Sequence, residues 1–204
     1  FSKDSSTPLW SFGADEAVGR VAISADGEYI VASSSDYSSH DSDSTIYLFE
    51  TDYDIPLWSC ELEGQAQSLE ITDNGEYIVF GSAAAGDKVY LFEKESSIPL
   101  WNYSTGRSVY SVSISADGDY IAAGSADGII HVFEKESSNP IWNYTASDNE
   151  NENYVEVDIS TNGQYLVASS HIRQGIFLFN IDSPMPIWVK DGVENQVMTV
   201  SISA

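Results

Sequence analysis

The sequence predicts an all-β chain built from repeated four-stranded antiparallel sheets. Three observations predict it. The phrase Phe-x6-Pro-x-Trp occurs five times with fixed spacing, as Phe1/Pro8/Trp10, Phe49/Pro56/Trp58, Phe92/Pro99/Trp101, Phe133/Pro140/Trp142 and Phe179/Pro186/Trp188. Successive Trp residues are 48, 43, 41 and 46 positions apart. Such a period marks a tandem array of supersecondary units. A second phrase falls between the Trp residues, at 21–30, 69–78, 112–121 and 157–166: an alternating apolar run, an Asp-Gly or Asn-Gly pair, and a second apolar run. Finally, no stretch has the length and 3.6-residue period of a helix, so essentially none is expected.

The elements of one unit follow in chain order. Period-two alternation makes the first apolar run a strand with unlike faces, strand a. Asp-Gly and Asn-Gly favour the positive backbone angles of a tight hairpin, so the second run is strand b. A third run, such as 88–92, is β-branched and aromatic and reads as strand c. A polar turn follows, at 94–97 and 135–138 in two of the copies. Strand d opens at Pro, which has no amide proton and suits a strand start or a sheet edge.

One such sheet cannot keep both faces dry by itself. Copies must stack face to face, and the radial solution is a β-propeller. The repeated aromatic columns supply the contact: Trp58, Trp101 and Trp142 in one, Phe49, Phe92 and Phe133 in another, Tyr29, Tyr77, Tyr120 and Tyr165 in a third. Each aromatic buries about 150–250 Å², so these columns dominate the cohesion between blades. Trp10 and Trp188 extend the Trp column at either end.

The hairpin phrase, most clearly at 115–128, resembles a WD40 repeat. The segment 89–93 followed by 99–103 resembles the quinoprotein (PQQ-like) repeat. The resemblance covers the whole chain and implies a propeller fold. There are departures. No Gly-His pair precedes strand a, and Phe92-Glu93 or Phe133-Glu134 stands where WD40 repeats carry Trp-Asp. The Thr-Gly turn of quinoprotein repeats is replaced by Ser96-Ser97, Tyr53-Asp54 or Ser183-Pro184. The repeat reads as a WD40/PQQ-like hybrid.

The chain is expected to form one propeller region over 1–204. Complete blades span approximately 18–60, 66–103, 109–144 and 154–190, with partial blades at 1–12 and 197–204. A strand d at the start and a strand a at the end leave open sheet edges, so the expectation is a portion of a larger propeller.

Eight Lys and Arg face 32 Asp and Glu, a formal charge of −24. This balance argues against nucleic acid, whose affinity rests on basic contacts to phosphate. No apolar run is long enough for direct membrane insertion. The acidic surface suits an extracellular or cell-surface setting, or a saline one. Cys60 is the sole thiol and reads as a small buried hydrophobe, which excludes an internal disulfide. Asn102-Tyr-Ser and Asn143-Tyr-Thr are N-glycosylation sequons at one repeat position on the outermost strand.

Loop lengths place the candidate site. The a–b and c–d turns keep their lengths, whereas the b–c and d–a loops vary, and those two emerge on one face. Binding residues concentrate on variable loops held by a rigid scaffold. Two insertions there are acidic. Asp36, Asp41 and Asp43 in one, and Asp148, Glu150 and Glu152 in the other, offer the clustered oxygens Ca²⁺ prefers, without EF-hand spacing. Calorimetry with Ca²⁺ tests them. No other cofactor is expected. His40, His131 and His171 lack metal-ligand spacing, and His131 reads as a packing residue in a strand-c column. No Gly-x-Ser-x-Gly elbow is present. The channel-facing positions of strand a differ between blades and read as solvated lining. The expected function is a non-catalytic scaffold presenting variable loops to a protein or glycan partner. The alternatives are a propeller domain of a larger enzyme, or a self-assembling subunit of a cell-surface or filament structure.

Overall fold

The computed structural model describes residues 6–36, 38, 43–84, 86–147, 154–172, 175–192 and 197–203. Among them are sixteen strands and no helix, in four antiparallel sheets that each run as a meander in chain order. Blade 1 holds β1 (Ala17–Ile23), β2 (Tyr29–Ser35), β3 (Ser44–Glu50) and β4 (Trp58–Leu62). Blade 2 holds β5 (Gln65–Ile71), β6 (Tyr77–Ala83), β7 (Lys88–Glu93) and β8 (Trp101–Ser104). Blade 3 holds β9 (Val109–Ile114), β10 (Tyr120–Ser125), β11 (Ile129–Glu134) and β12 (Trp142–Thr145). Blade 4 holds β13 (Val155–Ile159), β14 (Tyr165–Ser170), β15 (Gly175–Asn180) and β16 (Pro186–Lys190). The first strands β1, β5, β9 and β13 lie side by side, which is the inner-strand arrangement of a propeller.

The a–b connection closes the same way in every blade, but not as a two-residue hairpin. Gly27, Gly75, Gly118 and Gly163 have positive φ, whereas the Asp or Asn before each does not. The carboxylate of Asp26 instead accepts from the Glu28 amide at 3.0 Å and from the Ser24 hydroxyl. The Ser24 hydroxyl oxygen also accepts from the Tyr29 amide at 3.0 Å. Thr72/Asn74/Tyr77, Ser115/Asp117/Tyr120 and Ser160/Asn162/Tyr165 repeat this wiring. The acidic or amide side chain is therefore a turn acceptor, and only the glycine uses the left-handed region.

The core sits between blades. Three buried clusters fill the contacts of blade 1 with 2, blade 2 with 3, and blade 3 with 4. Pleating sends alternate residues of one strand to opposite neighbours: in β6, Ile78 and Phe80 face blade 1 while Val79 faces blade 3.

The repeated Trp locks each blade to the next. Trp58 stacks on Phe92 with ring centroids 5.7 Å apart, and its indole N–H donates to the Lys94 carbonyl at 2.7 Å. Trp101 packs at a tilt against Phe133 and donates to the Lys135 carbonyl, and Trp142 pairs likewise with Phe179 and Ile181. Trp10 stacks on Phe49 and donates to the Thr51 carbonyl. A second lock joins the hairpins. The Tyr29 ring lies against Gly75 of the following blade, where an added Cβ would come within 2.4 Å of it. The Lys94 ammonium also sits over that ring, 4.6 Å from its centroid, and donates to the Tyr29 hydroxyl at 3.3 Å. Tyr77, Gly118 and Lys135 repeat the ring contacts.

Two expectations need correction in detail. Residues 6–12 place Trp10 and Phe12 on blade 1 but make no strand, and 197–203 make none either. Trp188 differs from its equivalents: it is 45 % exposed where Trp142 is 8 % exposed, because among the described residues no strand c packs against it with a Phe ring and a carbonyl.

Candidate interaction face

The b–c and d–a loops do emerge on one face, at the ends where strand a begins and strand b finishes. That end of strand a is irregular. The register slips between Val18 and Arg20 in β1 and between Ala66 and Ser68 in β5. In β9, Gly124 pairs with Ser111 and Ser125 with Val109, leaving Tyr110 as the extra residue. A bulge of this kind re-aims one side chain out of the ladder. Here it turns the Tyr110 ring onto Tyr154, at a centroid separation of 4.3 Å. Tyr154 meets the edge of His171 at 5.7 Å, and the His171 amide donates to the Tyr154 carbonyl. His171 Nδ1 is buried without a hydrogen-bond partner. Tyr154 remains 43 % exposed, so this three-ring row offers an aromatic surface on the variable-loop face.

Beside it on that face is a groove of about 550 Å³ lined by Thr105, Gly106, Arg107, Asp127, Ile129, Thr145 and Ser147. The Asp127 carboxylate is fixed by the Ser125 hydroxyl and the Ile129 amide. Threonine hydroxyls, a guanidinium and a carboxylate thus line an open polar slot next to the aromatic row.

The channel side of strand a carries an organised ladder that the sequence reading did not find. Position by position the side chains differ, yet their role repeats. Ser68 Oγ accepts from the Val112 amide at 3.0 Å and Glu70 from the Ile114 amide at 2.7 Å. Ser111 and Ser113 accept from the Val157 and Ile159 amides, both at 3.1 Å. Asp158 accepts from the Ile202 amide at 2.8 Å. Blades 2 and 3 therefore cap the otherwise unpaired inner edge of the blade that follows, which removes a row of orphaned donors, and Asp158 of blade 4 does the same for the segment at Ile202. Arg20 bonds the carbonyls of Gly19 and Gln67, the extra residues of the first two bulges. Burial raises the Glu70 carboxyl to about 7, with nearby Asp158 and Asp73 adding to the rise against the bonds from Ile114 and Ser113. Burial also raises Glu156, partly offset by Ser111 and Arg20.

The sequence candidates fall as follows. Asp36 accepts from the Ser38 amide at 2.9 Å and from its hydroxyl, which hold its carboxyl below the ordinary value. Asp43 accepts from the Gly64 amide at 3.4 Å. Asp41, Asp148, Glu150 and Glu152 lie outside the described residues. Among the described residues no three His, Cys, Asp or Glu converge as metal ligands. Asn102 and Asn143 are exposed on β8 and β12, on the side opposite the Trp before each. His131 is buried against Tyr103 and Phe133, with Nδ1 3.1 Å from Asn143 Oδ1, and burial lowers its pKa. Cys60 packs on the blade 1–2 cluster, and burial pushes its thiol up to about 11.

Four-stranded meanders joined by the same Trp, Phe and Tyr contacts define a propeller of quinoprotein-like repeats. The chain belongs to the family described as outer membrane protein assembly factor BamB, whose model matches residues 1–204. No curated protein matches it.

Proposed function

We propose that this chain is a non-catalytic protein-binding scaffold of the cell envelope. The variable-loop face is its recognition surface. The carrying observation is the Tyr110–Tyr154–His171 row beside the Arg107/Asp127 groove, set by a bulge on rigid blades. Exposed tyrosines bring large contact area at small entropic cost, and a guanidinium with a carboxylate gives a protein partner both signs of charge to match. The family description, an assembly factor, supports a role in protein–protein contact and an envelope setting. An exposed tyrosine ring also suits stacking on a sugar, so a glycan partner is the second reading.

A photo-crosslinking residue placed at Tyr154, Arg107 or Asp127 in the source cells tests this. A discrete protein adduct from these positions, lost on irradiation of a chain also carrying Tyr110→Ser, supports the protein reading. A protease-resistant, glycosidase-sensitive adduct supports the glycan. Turnover of a small molecule abolished by Asp127→Asn, with no adduct from any position, overturns the scaffold.

A further inference from the structure

The face opposite the variable loops carries a repeated apolar rim. Ile55, Ile98 and Met185, each immediately before the strand-d proline, are 74, 75 and 74 % exposed. Directly after the proline, Leu9, Leu57, Leu100, Ile141 and Ile187 are exposed as well. The pleat explains why they point outward: the next residue is the inward Trp. It does not explain why all five outward positions are aliphatic, when any polar residue would satisfy the turn. Repeated exposed aliphatics on one face mark a contact surface.

The backbone beneath is rigid. The Leu57, Leu100 and Ile141 amides donate to Leu48, Leu91 and Val132 at 2.7, 2.8 and 2.7 Å, and each preceding proline fixes its own φ. Little conformational freedom remains to be lost when a partner docks. The same turns are anionic. Asp52, Asp54, Glu93, Glu95, Glu134 and Glu136 are all exposed. The two lysines among them are occupied, Lys94 over Tyr29 and Lys135 over Tyr77. Exposed Glu28 and Glu76 of the a–b turns add to the charge on that side, whereas Asp119 is paired with Lys135 at 2.9 Å.

We propose that this rim docks a cationic, aliphatic-rich segment of a partner protein. Aliphatic side chains of that segment seat on the rim while its Lys or Arg residues meet the turn carboxylates. Anionic bilayers are repelled by the same carboxylates, which favours polypeptide over lipid. The surface is separate from the variable-loop face.

The test is fluorescence anisotropy of a labelled peptide of alternating Leu and Lys, titrated with the whole 204-residue chain. A Ser/Lys peptide and phosphatidylcholine vesicles run in parallel. The Leu/Lys peptide binds, weakens with salt, and loses about tenfold or more affinity on Leu57→Ser/Leu100→Ser/Ile141→Ser. The charge variant Glu95→Lys/Glu136→Lys, which leaves the aliphatics in place, also weakens it, and Tyr154→Ser does not. Equal binding to the parent and the triple variant overturns the proposal. So does Ser/Lys binding as tight as Leu/Lys, which reduces the contact to charge alone. Vesicle binding lost in the triple variant assigns the rim to lipid and overturns it too.

Discussion

Replacing Trp142 and Trp188 by Ala, one at a time, separates a Trp packed against the following blade from an exposed one. Trp142 is 8 % exposed, packs at a tilt against Phe179 with ring centroids 5.4 Å apart and donates to the Ile181 carbonyl at 2.6 Å. Truncating a buried Trp to Ala costs about 3–5 kcal/mol, because transferred area is lost and a cavity remains. Trp142→Phe keeps most of the area but drops the indole N–H, and is expected to cost about 1–3 kcal/mol for the carbonyl left without its donor. Trp188 is 45 % exposed, and its removal is expected to cost about 1 kcal/mol or less, near the range of surface substitutions. The assay is urea unfolding followed by circular dichroism at fixed pH, with the midpoint and slope compared across the three variants. Equal midpoints for Trp142→Ala and Trp188→Ala would refute the reasoning. So would Trp142→Phe as damaging as Trp142→Ala, since the cost would then lie wholly in the indole bond rather than in packing.

Three other predictions rest on separate contacts. Burial raises the Glu70 carboxyl from its ordinary 4.5 to about 7, so the folded state holds this proton more tightly than the unfolded chain does. Its destabilising contribution is absent below about pH 4.5, grows as pH rises through 7, and reaches about 3 kcal/mol above it, at about 1.4 kcal/mol per tenfold change in proton affinity. Glu70→Gln, which keeps an acceptor for the Ile114 amide, is expected to melt higher than the parent at pH 8 and alike at pH 4.5; a lower melting temperature at pH 8 contradicts this. Gly118→Ala places a Cβ 2.6 Å from the Tyr77 ring at positive φ and is expected to cost about 1–2 kcal/mol more than Gly27→Ala, which has positive φ but open space; calorimetric melting of both variants at one pH decides it. Cys60, with its thiol pushed up to about 11, is expected to react with a disulfide reagent at neutral pH far more slowly in the native chain than in urea, and equal rates would contradict its burial.

Much of the fold was legible in the sequence because the repeat is local and periodic. Phe-x6-Pro-x-Trp gave strands c and d and the inter-blade columns, and the Ser-x-Asp-Gly-x-Tyr phrase gave the hairpin. The turn geometry was not legible in full. Asp-Gly implies a positive angle, but the chain gives it to Gly alone and spends the Asp on side-chain hydrogen bonds. The candidate site was read only as a face. Loop-length variation located it, whereas Tyr110, Tyr154 and His171 occupy unrelated repeat positions and meet only because β9 carries a bulge. The channel ladder escaped because Ser68, Glu70, Ser113 and Asp158 share a function, not a residue type. A signal did exist: each has a side-chain oxygen at an equivalent strand-a position. The apolar rim was written in the repeat as well, as the aliphatic residue between Pro and Trp, but the alternation rule alone does not say that the outer position of an edge strand stays uncovered.

Hydrogen exchange of individual amides tests the blade-to-blade coupling most directly. The amides of Val112, Ile114, Val157 and Ile159 point to the inner edge, away from strand b, and among the described residues they donate to side chains of the preceding blade. They are expected to exchange as slowly as the paired central amides of β6 and β10, and Ser113→Ala is expected to speed Ile159 while leaving Val112 unchanged. Exchange of all four at the rate of exposed turn amides would mean that the sheets are not held edge to edge around an axis.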